Sequence, residues 1–192
     1  VIFAFIVALF LIMIFHSENV KIEQVGLVFM VSTLIPFSLS SLILIRDASP
    51  DHALFLLLLT MAGAWIGDTG AFFVGSFLGK NKLAPKISPN KTIEGLIGGI
   101  LSTSAFFVIM GLICTNLNSD ISLNLIWLAM LGGVCTLFGV MGDLSASIIK
   151  RQCNIKDFGS IMPGHGGVLD RFDSILFVAP LMYITLRVMQ VI

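Results

Sequence analysis

The stretch LIWLAMLGGVCTLFGVMGDL, Leu125 to Leu144, decides the fold class. It runs for about 20 residues with no charge before Asp143, which is the length an α-helix needs to cross the hydrocarbon core of a bilayer. Segments of the same kind lie on both sides of it. Thr92–Thr115 is rich in Gly, Ser and Thr and carries one charge, Glu94, near its start. Ala53–Gly79 is interrupted by Asp68, and Val25–Ile45 contains Pro36, which predicts a kink. Val168–Ile192 opens with Asp170, Arg171 and Asp173, and Val1–Phe15 is apolar but short. The chain starts in apolar sequence with no charged n-region or cleavage site, so it reads as a larger protein cut inside a span rather than as a signal peptide.

The composition agrees. Of 192 residues, 57% are hydrophobic and 11% are charged, against about 45–50% and about 25% in a soluble domain. A soluble chain of this length could neither hide that much apolar surface nor cover itself with so little charge. The expected fold is an all-α polytopic membrane protein of about six transmembrane helices. Gly98-Gly99 and Gly132-Gly133 would let neighbouring helices approach closely. Cys114, Cys135 and Cys153 have neither CxxC spacing nor a histidine at ligand distance, and read as free thiols.

The net charge is zero, from 11 basic and 11 acidic residues, which excludes a generic basic nucleic-acid binder. The charges are nonetheless unevenly placed. Eight of the 11 Lys/Arg residues fall in Lys80–Lys91 and Lys150–Arg171, and the intervening Asn116–Asn124 has none. Two spans separate the basic loops, so they share one side of the membrane. The positive-inside rule makes that side cytoplasmic.

Carboxylates collect at the same face. Asp143, Ser147 and Lys150 recur at i, i+4 and i+7 and so share a helix face, with Arg151 beside it. Asp170, Asp173 and Ser174 form a second acidic face. Two carboxylates one turn apart suit Mg²⁺, which takes oxygen ligands and keeps waters and phosphates; helix capping by Asp170 is the competing reading. Between the two faces lies PGHGG, Pro163–Gly167, whose backbone N–H groups could cradle an anion ahead of a helix N-terminus. Lys150, Arg151, Lys156 and Arg171 add phosphate-matching charge, and His165 is either a further donor or simply solvated. In the other loop, Ser88-Pro89-Asn90-Lys91-Thr92 puts hydroxyls, an amide and an ammonium at a helix entrance, which suits an anion or a basic topology loop. Asp68 is the most membrane-embedded acid. Glu94 reads as a first-turn carboxylate complementing the helix dipole.

Cations and metal-type carboxylates on one face of a membrane protein suggest phosphoryl or nucleotidyl transfer at the bilayer surface. GxxxxGK[ST] and GxSxG are both absent from the sequence. The stretch SIIKRQCNIKDFGSIMPGHGGVLDRFD, Ser147–Asp173, closely resembles the signature of phosphatidate cytidylyltransferases, matching at Ser147, Lys150, Arg151, Lys156, Asp157, Pro163, His165, Gly166, Gly167, Asp170, Arg171 and Asp173. WIGDTGAFFVGSFLGKNKLAPKISPNKTIEG, Trp65–Gly95, is similar to that family's other characteristic region. Departures are mild. Met162 stands where the family usually has Leu, Ile or Phe, Asn90 replaces a common Lys, and Phe72 replaces a common Tyr.

The resemblance implies conversion of CTP and phosphatidate to CDP-diacylglycerol and pyrophosphate, with Mg²⁺ and room for a second cation. It implies catalytic roles for Asp143, Lys150, Arg151, Lys156, Asp157, His165, Asp170, Arg171 and Asp173, of which Asp143, Asp170 and Asp173 would hold metal. Asp68, Ser88, Asn90, Lys91, Thr92, Ser147, Pro163, Gly166 and Gly167 would bind substrate. Residues 1–52 would be an N-terminal transmembrane region and 53–192 the catalytic core. The setting would be a bacterial inner or plasma membrane with the active face cytoplasmic, and a homodimer is compatible by resemblance alone. The rival readings are a CTP-dependent polyprenol or lipid kinase and, more distantly, a transporter using intramembrane acids.

Overall fold

The computed structural model describes residues 2–117, 123–160 and 166–189. Five long or medium helices carry most of the chain. They are α1 (Ile2–Phe15), α2 (Ile22–Ala48), α3 (Ala53–Leu78, preceded by a 3₁₀ turn at Pro50–His52), α4 (Ile93–Leu117) and α5 (Leu125–Gln152). A hairpin of β1 (Lys82–Ala84) and β2 (Ser88–Thr92) joins α3 to α4. A four-residue helix α6 (Leu169–Phe172) and then α7 (Ile175–Met189) complete the described chain. Four helices, α2 to α5, are long and apolar enough to cross a membrane. α1 and α7 are apolar but shorter, at 14 and 15 residues. Large apolar side chains such as Phe77, Leu101 and Ile126 are more than 60% exposed, which only a lipid environment accommodates. The chain is an integral membrane protein.

The Lys80–Lys91 loop folds as a short hairpin: Lys82 pairs with Thr92 and Ala84 with Ser88 in an antiparallel ladder, broken by an irregularity between them. One expectation needs correcting. The stretch expected to be one span from Val168 is broken into α6 and α7 at Asp173-Ser174. α2, by contrast, runs through Pro36 as one helix, and α5 continues eight residues beyond Leu144 to Gln152.

The packed centre is α3, α4 and α5, with α7 lying against α2 and α5. Glycine sets the spacing. A Cβ on Gly98 would overlap the Val74 side chain, and one on Gly132 would lie 2.9 Å from the Thr103 carbonyl oxygen. Backbones approach there because no side chain intervenes. Gly98→Leu is expected to destabilise the bundle by about 1–3 kcal/mol through overpacking, read as a lowered Tm in detergent. Between α4 and α5 the Thr136 hydroxyl donates to Thr103 Oγ1 at 2.9 Å, and between α2 and α7 Ser38 Oγ donates to the Leu176 carbonyl at 2.6 Å. These bonds satisfy polar groups that lipid and side chains would otherwise strand. The buried apolar side chains Ile45, Leu59, Phe107, Ile175 and Met182 fill the remainder.

Candidate functional site

The ends of α3 and α5, the starts of α4 and α7, the hairpin and α6 all meet on one side of the bundle. They enclose a cavity of about 440 Å³. α3 supplies Asp68, Ala71 and Phe72; the hairpin supplies Leu83, Ser88, Asn90, Lys91 and Thr92; α5 supplies Val140, Asp143 and Lys150. Asp157, Asp170, Arg171 and Asp173 close the wall from the C-terminal linker. The two basic loops therefore build one site, together with the membrane-embedded Asp68.

Asp170 is bonded through both of its carboxylate oxygens. Its Oδ1 accepts from Lys150 Nζ at 2.8 Å, and its Oδ2 accepts from the backbone N–H groups of Phe158 and Gly167, each at 2.9 Å. Burial alone would raise its pKa, but Lys150 and the two N–H groups outweigh that and hold it below the usual carboxylate range. Gly166 is tight against this carboxylate: it has φ of 79°, and a Cβ there would lie 3.1 Å from Asp170 Oδ2. The Lys150 ammonium also lies 5.3 Å from the centre of the Phe158 ring.

On α5, Asp143 forms an ion pair with Lys91 of the hairpin and accepts from Ser147 Oγ at 3.4 Å. The i, i+4, i+7 stripe is thus realised on one continuous helix. Asp68 Oδ2 accepts from Ser174 Oγ at 2.8 Å, and the Ser174 N–H donates to Asp173 Oδ1 at 2.8 Å. Ser174 so ties a residue of α3 to the junction between α6 and α7. Asp173 lies at that junction, outside α7, and is 8% exposed. Burial first, and then the neighbouring Asp143 and Asp68, push its carboxyl up to about 6.

Other expected residues take different places. Thr92 is buried, and its Oγ1 accepts from the Gly95 N–H at 3.1 Å, capping α4 while lining the cavity. Arg151 and Lys156 are exposed and do not line the cavity among the described residues. Gly166 and Gly167 bracket Asp170 rather than the cavity itself. Pro163 and His165 lie outside the described residues.

Three residues take roles that the sequence did not show. Glu94 accepts from the N–H groups of Lys80 and Asn81 and from Asn81 Nδ2, at 2.7–3.2 Å, and so clamps the base of the hairpin to α4. Trp65 donates to the Arg171 carbonyl at 3.4 Å and packs edge-on against Phe172, holding α6 to α3. Ser174 is the third. Each acts across a fold contact; the sequence set Ser174 on one face with Asp170 and Asp173, and Glu94 in the first turn of a helix, but showed the partner of neither.

The profile of the Cytidylyltransferase family matches residues 1–189. The chain belongs to the cytidylyltransferase family. Among its relatives, the phosphatidate cytidylyltransferase of Bacillus subtilis is 37% identical over 186 residues, covering 94% of this chain and 67% of the relative. The phosphatidate cytidylyltransferase of Haemophilus influenzae is 39% identical over 170 residues, covering 86% and 57%. That of Staphylococcus haemolyticus is 43% identical over 139 residues, covering 72% and 52%. The chain thus spans between about half and two thirds of the length of these cytidylyltransferases.

Among the described residues, no three Asp, Glu, His or Cys side chains converge tightly enough to cage a metal by themselves. In this arrangement both oxygens of Asp170 are engaged. Asp143 and Asp68 lie close enough to Asp173 to raise its charging cost. The cavity as a whole sets five carboxylates against three cations, a formal excess of two negative charges. Such a donor set fits a divalent cation that arrives with a phosphate ligand, since Mg²⁺ is commonly held by one or two carboxylates plus phosphate oxygens and water.

Proposed function

We propose that this chain performs the reaction for which its relatives are named, transferring the cytidylyl group of CTP to phosphatidate at the cytoplasmic face of a bacterial membrane. The observation that carries this reading is the acid- and cation-lined cavity at one end of a bundle whose outer surface is apolar. A charged triphosphate and a lipid phosphate can meet there, one from water and one from the bilayer.

The phosphatidate phosphate is already anionic near neutral pH, so its oxygen can attack the α-phosphorus of CTP without a strong base. One P–O bond forms to the lipid phosphate, the bond to the β-phosphate breaks, and pyrophosphate leaves with both electrons. The obstacle is repulsion between anions. Lys91, Lys150 and Arg171 would bind phosphate oxygens and disperse that charge. Ser88 and Asn90 would hydrogen-bond nucleotide or lipid phosphate beside them, with Ser147 supporting Asp143. Mg²⁺ held by Asp143 and Asp173, and by Asp170 once it exchanges a partner, would screen the triphosphate and ease departure of pyrophosphate. Asp68 would keep Asp173 oriented through Ser174.

The site pairs its own charges, Lys91 with Asp143 and Lys150 with Asp170. Binding of a metal–triphosphate would exchange partners, cation to acids and phosphates to lysines. Neither charge type then passes through an unpaired, partly buried state, which is costly.

Incubating the protein in lipid nanodiscs with CTP labelled in the cytidine ring, phosphatidate and Mg²⁺ tests the reading. Label in the organic phase with release of pyrophosphate is the expected result. Transfer of only the γ-phosphate would identify a lipid kinase instead. The Mg²⁺ concentration for half-maximal rate is also expected to rise as pH falls through about 6, because a protonated Asp173 cannot ligate a cation. In Asp173→Asn that pH dependence should flatten.

A further inference from the structure

A second recess adjoins the polar cavity, and the two share Asp173 as a common wall. It is a narrow groove, about 40 Å³ in cavity volume, with almost entirely apolar walls. The fold explains why it exists. α2 packs on α7 and α3 but barely touches α5, so a gap is left between α2 and α5 above the start of α7. One wall is Val31, Leu34 and Ile35 of α2; the facing wall is α5, where small side chains at Ser145 and Ala146 leave the gap open. The Ser145 hydroxyl donates to its own helix at the Met141 carbonyl, 2.7 Å away, and makes no polar demand on the groove.

Phe158 forms the partition between the two recesses. Its ring lines the groove, and the Lys150 ammonium of the polar cavity lies over it. A ligand spanning the partition therefore meets cations at one end and hydrocarbon at the other. That is the chemistry of a lipid phosphate, not of a nucleotide or a free anion.

Resting on the lipid-phosphate substrate proposed above, we infer that this groove holds an acyl chain of that lipid and leads it from the bilayer to Asp173. The groove selects for a long chain, while the polar cavity selects for the phosphate. α2 is then part of substrate binding, although the charged motifs lie outside it.

Ile35→Trp and Ser145→Phe narrow the groove from opposite walls without touching the charged residues. Leu101→Trp, on the lipid-facing side of α4, is the control. In nanodiscs, kcat/KM for dioleoyl-phosphatidate relative to dihexanoyl-phosphatidate is expected to fall about tenfold in both groove variants, a change typical of apolar-pocket mismatch. The ratio in Leu101→Trp and the KM for CTP should stay unchanged. An unaltered ratio in the groove variants, or an equal fall in the control, would overturn the inference. A phosphatidate with a diazirine midway along one chain gives a readout independent of turnover. Crosslinks to residues 31–35 and 145–149 support the groove, and crosslinks confined to other faces reject it. Crosslinking at the groove with no cytidylyl transfer in the unaltered protein would retain the lipid site and reject the proposed reaction.

Discussion

Asp170→Asn is expected to lower turnover by about 10³-fold, the scale of losing a preorganised electrostatic group, while the helical bundle stays folded. Three donors converge on this carboxylate: the Lys150 ammonium and the N–H groups of Phe158 and Gly167. Asparagine has one acceptor oxygen, and its amide nitrogen must face either Lys150 or the two N–H groups. Either orientation sets donor against donor in a part-buried site, which costs about 1–3 kcal/mol for the unsatisfied groups. It also removes the charge that balances Lys150. Loss should therefore appear in kcat and in the Mg²⁺ requirement together, measured as cytidine label transferred to lipid. A folded variant with full Mg²⁺-dependent turnover would remove Asp170 from both roles.

Lys91→Met is expected to lower kcat/KM for CTP by about 10²-fold, with Lys91→Arg retaining much of the activity. The lysine is carried by the hairpin, pairs with Asp143 of α5, and leaves only 20% of its side chain exposed. Methionine keeps the stem and its packing but deletes the charge, leaving Asp143 without its partner. Combining Lys91→Met with Asp143→Asn should be less harmful than the sum of the single changes, with a coupling of about 1–2 kcal/mol. Strict additivity would mean that the two groups act independently and that exchange of partners on substrate binding does not occur.

Much of the site was legible in the sequence because helix periodicity is a strong signal. The spacing of Asp143, Ser147 and Lys150 required one helix face, and α5 provides it. The concentration of lysine and arginine in two loops separated by two spans placed those loops together, and the cavity joins them. The hairpin was not legible. Ser88-Pro89-Asn90-Lys91-Thr92 has no alternating apolar pattern, and its order depends on Glu94, which grips Lys80 and Asn81 from another element. The break at Asp173 was hidden for a similar reason. Composition from Val168 onward is that of a membrane helix, whereas the bonds holding α6 come from Trp65 and Ser174 to partners 106 residues away in sequence. The apolar groove was invisible because it arises from a separation between α2 and α5, and periodicity carries no information about gaps.

The charged pairs of the cavity each join segments that leave the ribosome at different times. Asp143 emerges 52 residues after Lys91, and Asp170 emerges 20 residues after Lys150. Until the second member arrives, the first can remain hydrated at the membrane surface. Ser174 closes the set by reaching back to Asp68, a residue already delivered to the bilayer with α3. Insertion of the C-terminal segment is thus the event that converts a row of inserted helices into an enzyme. A nascent chain stalled before Asp170 would hold its helices yet lack a working centre, so activity itself reports that synthesis has run past Ser174.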